Sequence, residues 1–204
     1  MNNPLTTLAG AWVLAATPLA FAASSTELTM AGLITPTACT PSLSNGGIVD
    51  HGRILAKDVP PGEITELDPE TLTLTVVCDR AITIAIKAID NRSSNVPSGG
   101  FGLARVNGTQ YLGAYLLMGH SAVADGQPAR SIVSYDLGRW QTNSYWPSEG
   151  YLSVATIDGP LQPAPVRELK TELTVRTVLA PSRDIDMSQE VPIDGSATLE
   201  MRYL

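Results

Sequence analysis

Thr71-Leu72-Thr73-Leu74-Thr75-Val76-Val77-Cys78 reads as a strand with one dry face. Leu72, Leu74, Val76 and Cys78 fall on one side and mostly threonines on the other, the period-two pattern of a half-buried antiparallel strand. Working outward, the next run repeats the pattern at Ile82, Ile84, Ile86 and Ala88. Leu169, Leu173, Val175 and Leu179 alternate with Lys170, Glu172, Thr174 and Arg176. The last segment turns Ala197, Leu199, Met201 and Tyr203 inward and Thr198, Glu200 and Arg202 outward. No segment carries a convincing helical period, and 15 Pro and 17 Gly punctuate the chain. The pattern predicts an all-β protein, an immunoglobulin-like antiparallel β-sandwich. Loops are expected at Ser42–Gly47, Val59–Pro69, Asn91–Gly102, His120–Ala129 and Ile157–Val166, and Asn107-Gly108 reads as a hairpin turn.

Residues 1–22 are sequence of another kind. Leu8 to Leu19 is almost wholly apolar and is followed by Ala20-Phe21-Ala22, a small-x-small cleavage pattern. The run is too short and too rich in alanine to span a bilayer comfortably, and no later stretch is long enough for a membrane helix. The expected organisation is a signal peptide over 1–22 and one β-sandwich domain over 23–204, in an exported chain. Residues 101–160 are read as an elaboration of that sandwich. With 44% apolar residues the chain can build a core. A net charge of −7 argues against a nucleic-acid partner, which needs a basic face.

Two cysteines, Cys39 and Cys78, remain after cleavage. An even pair in an exported chain reads as a disulfide. Closing a loop of about 40 residues stabilises a fold by roughly 4 kcal/mol in the chain-entropy view. The two histidines, His51 and His120, supply no ligand cluster around the cysteines. There is no Gly-x-Ser-x-Gly elbow, His-Glu-x-x-His helix or Gly-rich phosphate loop, so the expectation is a non-enzyme without cofactor or metal.

A strand at Leu28-Thr29-Met30-Ala31-Gly32-Leu33-Ile34 leading into Cys39, a partner cysteine at the end of a strand, and a closing strand with penultimate Tyr203 together resemble the pilin subunits of chaperone–usher fimbriae. Gly32 to Gly47, Ile89-Asp90-Asn91-Arg92, Gly100-Phe101-Gly102-Leu103 and Ala124-Asp125-Gly126 resemble more closely a proteobacterial family of secreted proteins, domain-of-unknown-function family 1120, whose members often sit beside chaperone and usher genes. The resemblance implies a pilin-like subunit with a periplasmic chaperone, an outer-membrane usher and other pilus subunits as partners. It implies that Leu199, Met201 and Tyr203 line the surface that meets a chaperone or a donated strand.

A sandwich that closes on Ala197–Leu204 is expected to leave one sheet edge open for a strand from another chain. An internal strand within 111–118 is the alternative filler. Ala23-Ser24-Ser25-Thr26-Glu27 makes a poor donor arm, so the expected subunit accepts a strand without offering one. The alternative function is a self-sufficient secreted adhesin or carbohydrate-binding module. Its segment would be Tyr135–Trp146, where Trp140, Asn143, Tyr145 and Trp146 combine aromatic faces with polar groups suited to a surface glycan. Ordinary packing of the tryptophans is the competing reading. N-terminal sequencing of the exported protein is expected to begin at Ala23 or Ser24. A start several residues earlier would restore an apolar arm containing Leu19 and Phe21 and overturn the acceptor-only reading.

Overall fold

The computed structural model describes residues 38–92, 96 and 99–204. The expected signal peptide, its cleavage point, the arm 23–27 and the strand Leu28–Ile34 lie outside the described residues. The chain divides into units 1–35 and 36–204, and every described residue belongs to the second.

The described strands are β1 Cys39–Leu43, β2 Thr65–Glu66, β3 Glu70–Asp90, β4 Phe101–Gly102, β5 Gly113–Ala124, β6 Gln127–Ser134, β7 Gln141–Thr142, β8 Tyr145–Trp146, β9 Tyr151–Thr156, β10 Pro165–Leu179 and β11 Ala197–Tyr203. All their pairings are antiparallel. The all-β architecture is therefore as the alternation predicts.

The two apolar runs 71–78 and 82–88 are one strand. β3 is 21 residues long. Its first half pairs with β1 and β10, and its second half with β11 and β9. Between the halves, Val77 pairs with Glu168 and Ile82 with Val166, so on the β10 side the intervening residues of β3 face only Arg167. Extra residues on one strand bend it and raise its twist. Asp79, Arg80 and Ala81 are exposed at this corner, and beyond it the strand joins the other sheet. The even-numbered residues Leu72, Leu74, Val76, Ile84, Ile86 and Ala88 stay buried on both sides of it.

The first sheet comprises β1, the first half of β3, β10 and β5, with β2, β4 and β8 at its margins. The second comprises β11, the second half of β3, β9, β6 and β7. The β5–β6 hairpin also links them, so the path β3–β9–β6–β5–β10 returns to β3 and the sandwich is barrel-like. Leu169, Leu173, Val175 and Leu179 of β10 point inward as expected and meet Ile84, Ile86, Leu152, Val154 and Trp146 in one core. Each such side chain contributes roughly 1.5–3 kcal/mol on burial.

The loop expected at His120–Ala129 is instead this hairpin. Only Asp125 (φ 50°) and Gly126 (φ 77°) form the turn, the positive-φ pair of a type I′ connection. The alternation is masked because Ser121 sits at φ 52° in a bulge, where the register with β10 shifts between Lys170 and Glu172. Asp125 does more than turn the chain. Its Oδ1 accepts hydrogen bonds from the backbone N–H of Arg167 (3.0 Å) and Glu168 (2.7 Å), which lie opposite the β3 corner.

Cys39 and Cys78 are directly opposed on β1 and β3 and form the expected disulfide. Asn107 and Gly108 both take positive φ at a tight turn closed by the Val106–Gln110 bridge. Asp125→Ala is expected to lower stability by about 2 kcal/mol in urea unfolding, through loss of charge-assisted bonds at the corner. Asp125→Asn, which keeps an acceptor and tolerates the turn, should cost less.

Candidate functional site

The geometry of β11 is set by its register on β3. Ala197 faces Asp90, Leu199 faces Ala88, Met201 faces Ile86 and Tyr203 faces Ile84. The flanking bonds run from Leu204 N–H to Thr83 C=O (3.0 Å) and from Asn91 N–H to Ser196 C=O (3.0 Å). Antiparallel ladders alternate, so the backbone groups of Thr198, Glu200 and Arg202 bond to β3. Those of Ala197, Leu199, Met201 and Tyr203 point away from it. Among the described residues no strand pairs with that outer edge. The segment 111–118 does not fill it, because β5 pairs with β4, β6, β8 and β10.

Side chains and backbone at these positions face different things. Ala197, Leu199 and Met201 are half-buried against the core. Beside them runs a cleft of about 270 Å³ between β11 and the inner face of the first sheet. Leu43 of β1, Leu72 of β3, Leu117 of β5 and Leu173 and Val175 of β10 line it opposite Ala197 and Leu199. His51, Thr177 and Ser196 bring polar groups to it, with His51 Nε2 2.9 Å from the Thr177 hydroxyl.

Tyr203 corrects the inward expectation. It is 48% exposed, and its hydroxyl accepts a hydrogen bond from the backbone N–H of Cys39 at 3.0 Å. β11 ends where β1 begins, at the corner of β3, so the phenol reaches across to the neighbouring strand instead of dropping into the core.

The far end of β11 is held by residues for which the sequence offered a resemblance but no role. Asp90 accepts from the N–H of Gly102 (2.8 Å) and of Arg92 (2.9 Å). Asn91 Nδ2 donates to the hydroxyls of Ser196 and Thr198, both at 3.0 Å, and Arg92 pairs with Asp194 at 3.0 Å. Leu103 bridges to Gly195, where a Cβ would meet the Tyr115 ring at 2.8 Å. Tyr115 stacks on Phe101 with centroids 5.1 Å apart, and burial pushes its hydroxyl pKa far above the usual phenol range, with Asp90 adding to the shift. The motifs Asp90-Asn91-Arg92 and Gly100–Leu103 thus clamp the start of β11.

The segment 135–146 does not gather its candidate residues. Trp146 is fully buried, with its indole N–H donated to Gly150 C=O. Its ring packs in the core and offers no face to a glycan. Trp140 is half-buried and donates to Leu137 C=O at 3.2 Å. Tyr145 pairs with Met118 on β5, and Asn143 Oδ1 accepts from Tyr145 N–H. Asp136 organises the preceding turn. The N–H groups of Arg139 and Gly138 and the Ser134 hydroxyl hold its carboxyl below the ordinary range. That support is present above the ordinary carboxylate pKa and fades as pH falls through the depressed one. Both histidines are hydrogen-bonded to β10 threonines, His120 to Thr174 at 2.7 Å.

A family model described as a protein of unknown function, DUF1120, matches residues 28–125. The chain is similar over its whole length to the Uncharacterized protein YhcF of Escherichia coli strain K12, at 25% identity and with all of that protein covered. It is similar to Protein GltF of the same strain at 23% identity, over 94% of this chain and 93% of that protein. The matched region takes in β1, β3, β4 and β5 and stops before the candidate aromatic segment.

Tyr203→Phe is expected to lower stability by about 1 kcal/mol, because it removes the acceptor for Cys39 N–H while the ring stays. An unchanged urea midpoint would show that the bond across β1 and β11 contributes nothing in solution.

Proposed function

We propose that this protein is an exported, pilin-like structural or adhesive subunit that accepts a β-strand from another chain along β11. One observation carries the reading. Leu199 turns its side chain toward a largely apolar cleft, Met201 packs against the core beside it, and the backbone N–H and C=O groups of both face an edge that no described strand covers. An added strand could form a ladder with that edge while its alternate side chains enter the cleft, the arrangement of β-strand addition. Open edges of this kind invite indiscriminate pairing, which a dedicated partner prevents.

The occupant we infer is first a strand of a periplasmic chaperone, delivered onward at an outer-membrane usher, and then a segment of a neighbouring subunit at the cell surface. The resemblance of the β1–β3 and β11 segments to pilins supports this partner class. Tyr203, half-exposed at the junction of β1 and β11, would sit at the end of the added strand, with Leu199 and Met201 along its length. The alternative, a self-sufficient glycan-binding module built on Trp140, Asn143, Tyr145 and Trp146, is weakened by the burial of Trp146 and the dispersal of the others.

Amide hydrogen exchange separates the readings by residue parity. In the purified chain without a partner, the amides of Leu199, Met201 and Tyr203 are expected to exchange fast, and those of Glu200 and Arg202 slowly. A donor strand fused after Leu204 should protect the first group and raise the unfolding midpoint. If all are equally protected in the isolated chain, the edge is already paired internally and the strand-acceptor reading fails.

A further inference from the structure

The cleft beside β11 is too small for the strand it faces. A strand turns every second side chain to one side, so a partner as long as the 7 residues of β11 brings about three or four side chains inward. A cavity of about 150 Å³ accepts one small aromatic ring. The cleft, at about 270 Å³, therefore takes about two large side chains. Part of its wall must give way if a whole strand is to dock.

One part of that wall belongs to no ladder. The strand residues are fixed by their pairings, and Leu103 and Gly195 by the clamp at the start of β11. Val49 and His51 also line the cleft, and they stand on the irregular segment 48–51. Its side chains alternate as a strand's do: Val49 and His51 are half-buried, Ile48 and Asp50 exposed. Its other bonds are local. Ile48 N–H donates to Asn45 C=O (3.1 Å), Ile48 C=O accepts from Asn45 Nδ2 (2.8 Å), and the Asp50 carboxylate accepts from Gly52 N–H (2.8 Å). Among the described residues, its single hydrogen bond to the rest of the fold joins His51 Nε2 to the buried Thr177 hydroxyl. Both ends of the segment are glycines at positive φ, Gly46 (62°) and Gly47 (76°) before it and Gly52 (63°) after it. A Cβ at Gly46 or Gly52 would meet nothing within 4 Å, so both points have room to turn. The Arg53–Glu190 pair just beyond is exposed on both sides and contributes little.

We infer that segment 48–51 is a displaceable plug. Val49 and His51 cover part of the cleft until a strand docks on β11. They then swing out about Gly46-Gly47 and Gly52, and side chains of the incoming strand take their place. Small residues at both ends and few bonds between them are the marks of a hinged, weakly held segment. The inference rests on strand acceptance at β11 and adds the step that admits the strand. It also gives the unpartnered chain a cover for apolar surface that an open edge would otherwise present.

Carbethoxylation with diethyl pyrocarbonate, read by peptide mass mapping, tests it. The chain has two histidines, and His120 on β5 serves as the internal reference. The probe is a strand of alternating valine and threonine, matched to β11 in length and fused after Leu204 through a flexible linker. Relative to the unfused chain, His51 is expected to label at least about tenfold faster in the fusion, with His120 unchanged, while the amides of Leu199 and Met201 become protected. Val49→Ala trims the half-buried part of the plug. It is expected to speed uptake of the same strand, offered as a free peptide, at least about threefold, with the same final protection. Protected Leu199 and Met201 amides with His51 still slow to label, or uptake no faster in Val49→Ala, would overturn the plug and leave strand acceptance intact. Leu199 and Met201 amides that stay unprotected in the fusion would overturn strand acceptance itself, and the plug with it.

Discussion

Much of this structure depends on one strand belonging to two sheets. β3 can do so only because residues between Val77 and Ile82 have a single partner on β10, which lets the strand bend without losing its buried face. The Asp125 carboxylate takes up the two amides that lie opposite that bend. Cys39–Cys78 fixes β1 immediately before the corner, and Tyr203 brings the end of β11 to the same place. A straight β3 would keep β1 and β11, which meet it at Cys78 and Ile84, in one plane, and the cleft between the two sheets would not form.

The sheet edge at β11 is clamped at both ends, and among the described residues no strand covers it between them. Asp90, Asn91 and Arg92 fix the entry, and the Tyr203 phenol fixes the exit. The charges on the strand face outward, where Glu200 and Arg202 pair with each other at 2.8 Å. Natural edges are commonly guarded by charge. Here the guard stands on the side chains that bond inward through their backbone, while the unguarded backbone groups belong to Leu199 and Met201. The charges hinder approach from the solvent face, while among the described residues no strand occupies the edge itself.

Alternation made the strands legible, because a buried face every second residue is a property of the local sequence. The inward sets on β3 and β10 could be read that way before any coordinates. The union of the two β3 runs could not, since polar Asp79-Arg80 interrupts the apolar alternation and only the partner strands show that the ladder continues. The β5–β6 hairpin was hidden by the Ser121 bulge, although Asp125-Gly126 is a strong turn signal by itself. At the candidate site, the inward placement of Leu199 and Met201 followed from parity. The outward lean of Tyr203 did not, because it depends on where β1 starts, a long-range fact. Trp146 shows the opposite limit: an aromatic residue among polar neighbours in sequence can be surrounded by core in space.

The clamps on β11 also bear on how fast the molecule can assemble. The bond from Asn91 to Thr198 joins residues 107 apart, and that from Cys39 to Tyr203 joins residues 164 apart. The β5–β6 hairpin closes across two residues. Ordering a long loop costs entropy before any contact repays it, and pairings distant in sequence form slowly. The hairpin is therefore the local pairing of the set, while the β3–β10 ladder and the docking of β11 both close long loops. Docking of β11 completes the cover over Ala88, which faces Leu199 across the ladder. The rate at which the sandwich forms is thus tied to the closing of these long loops, a quantity separate from how stable the finished sandwich is.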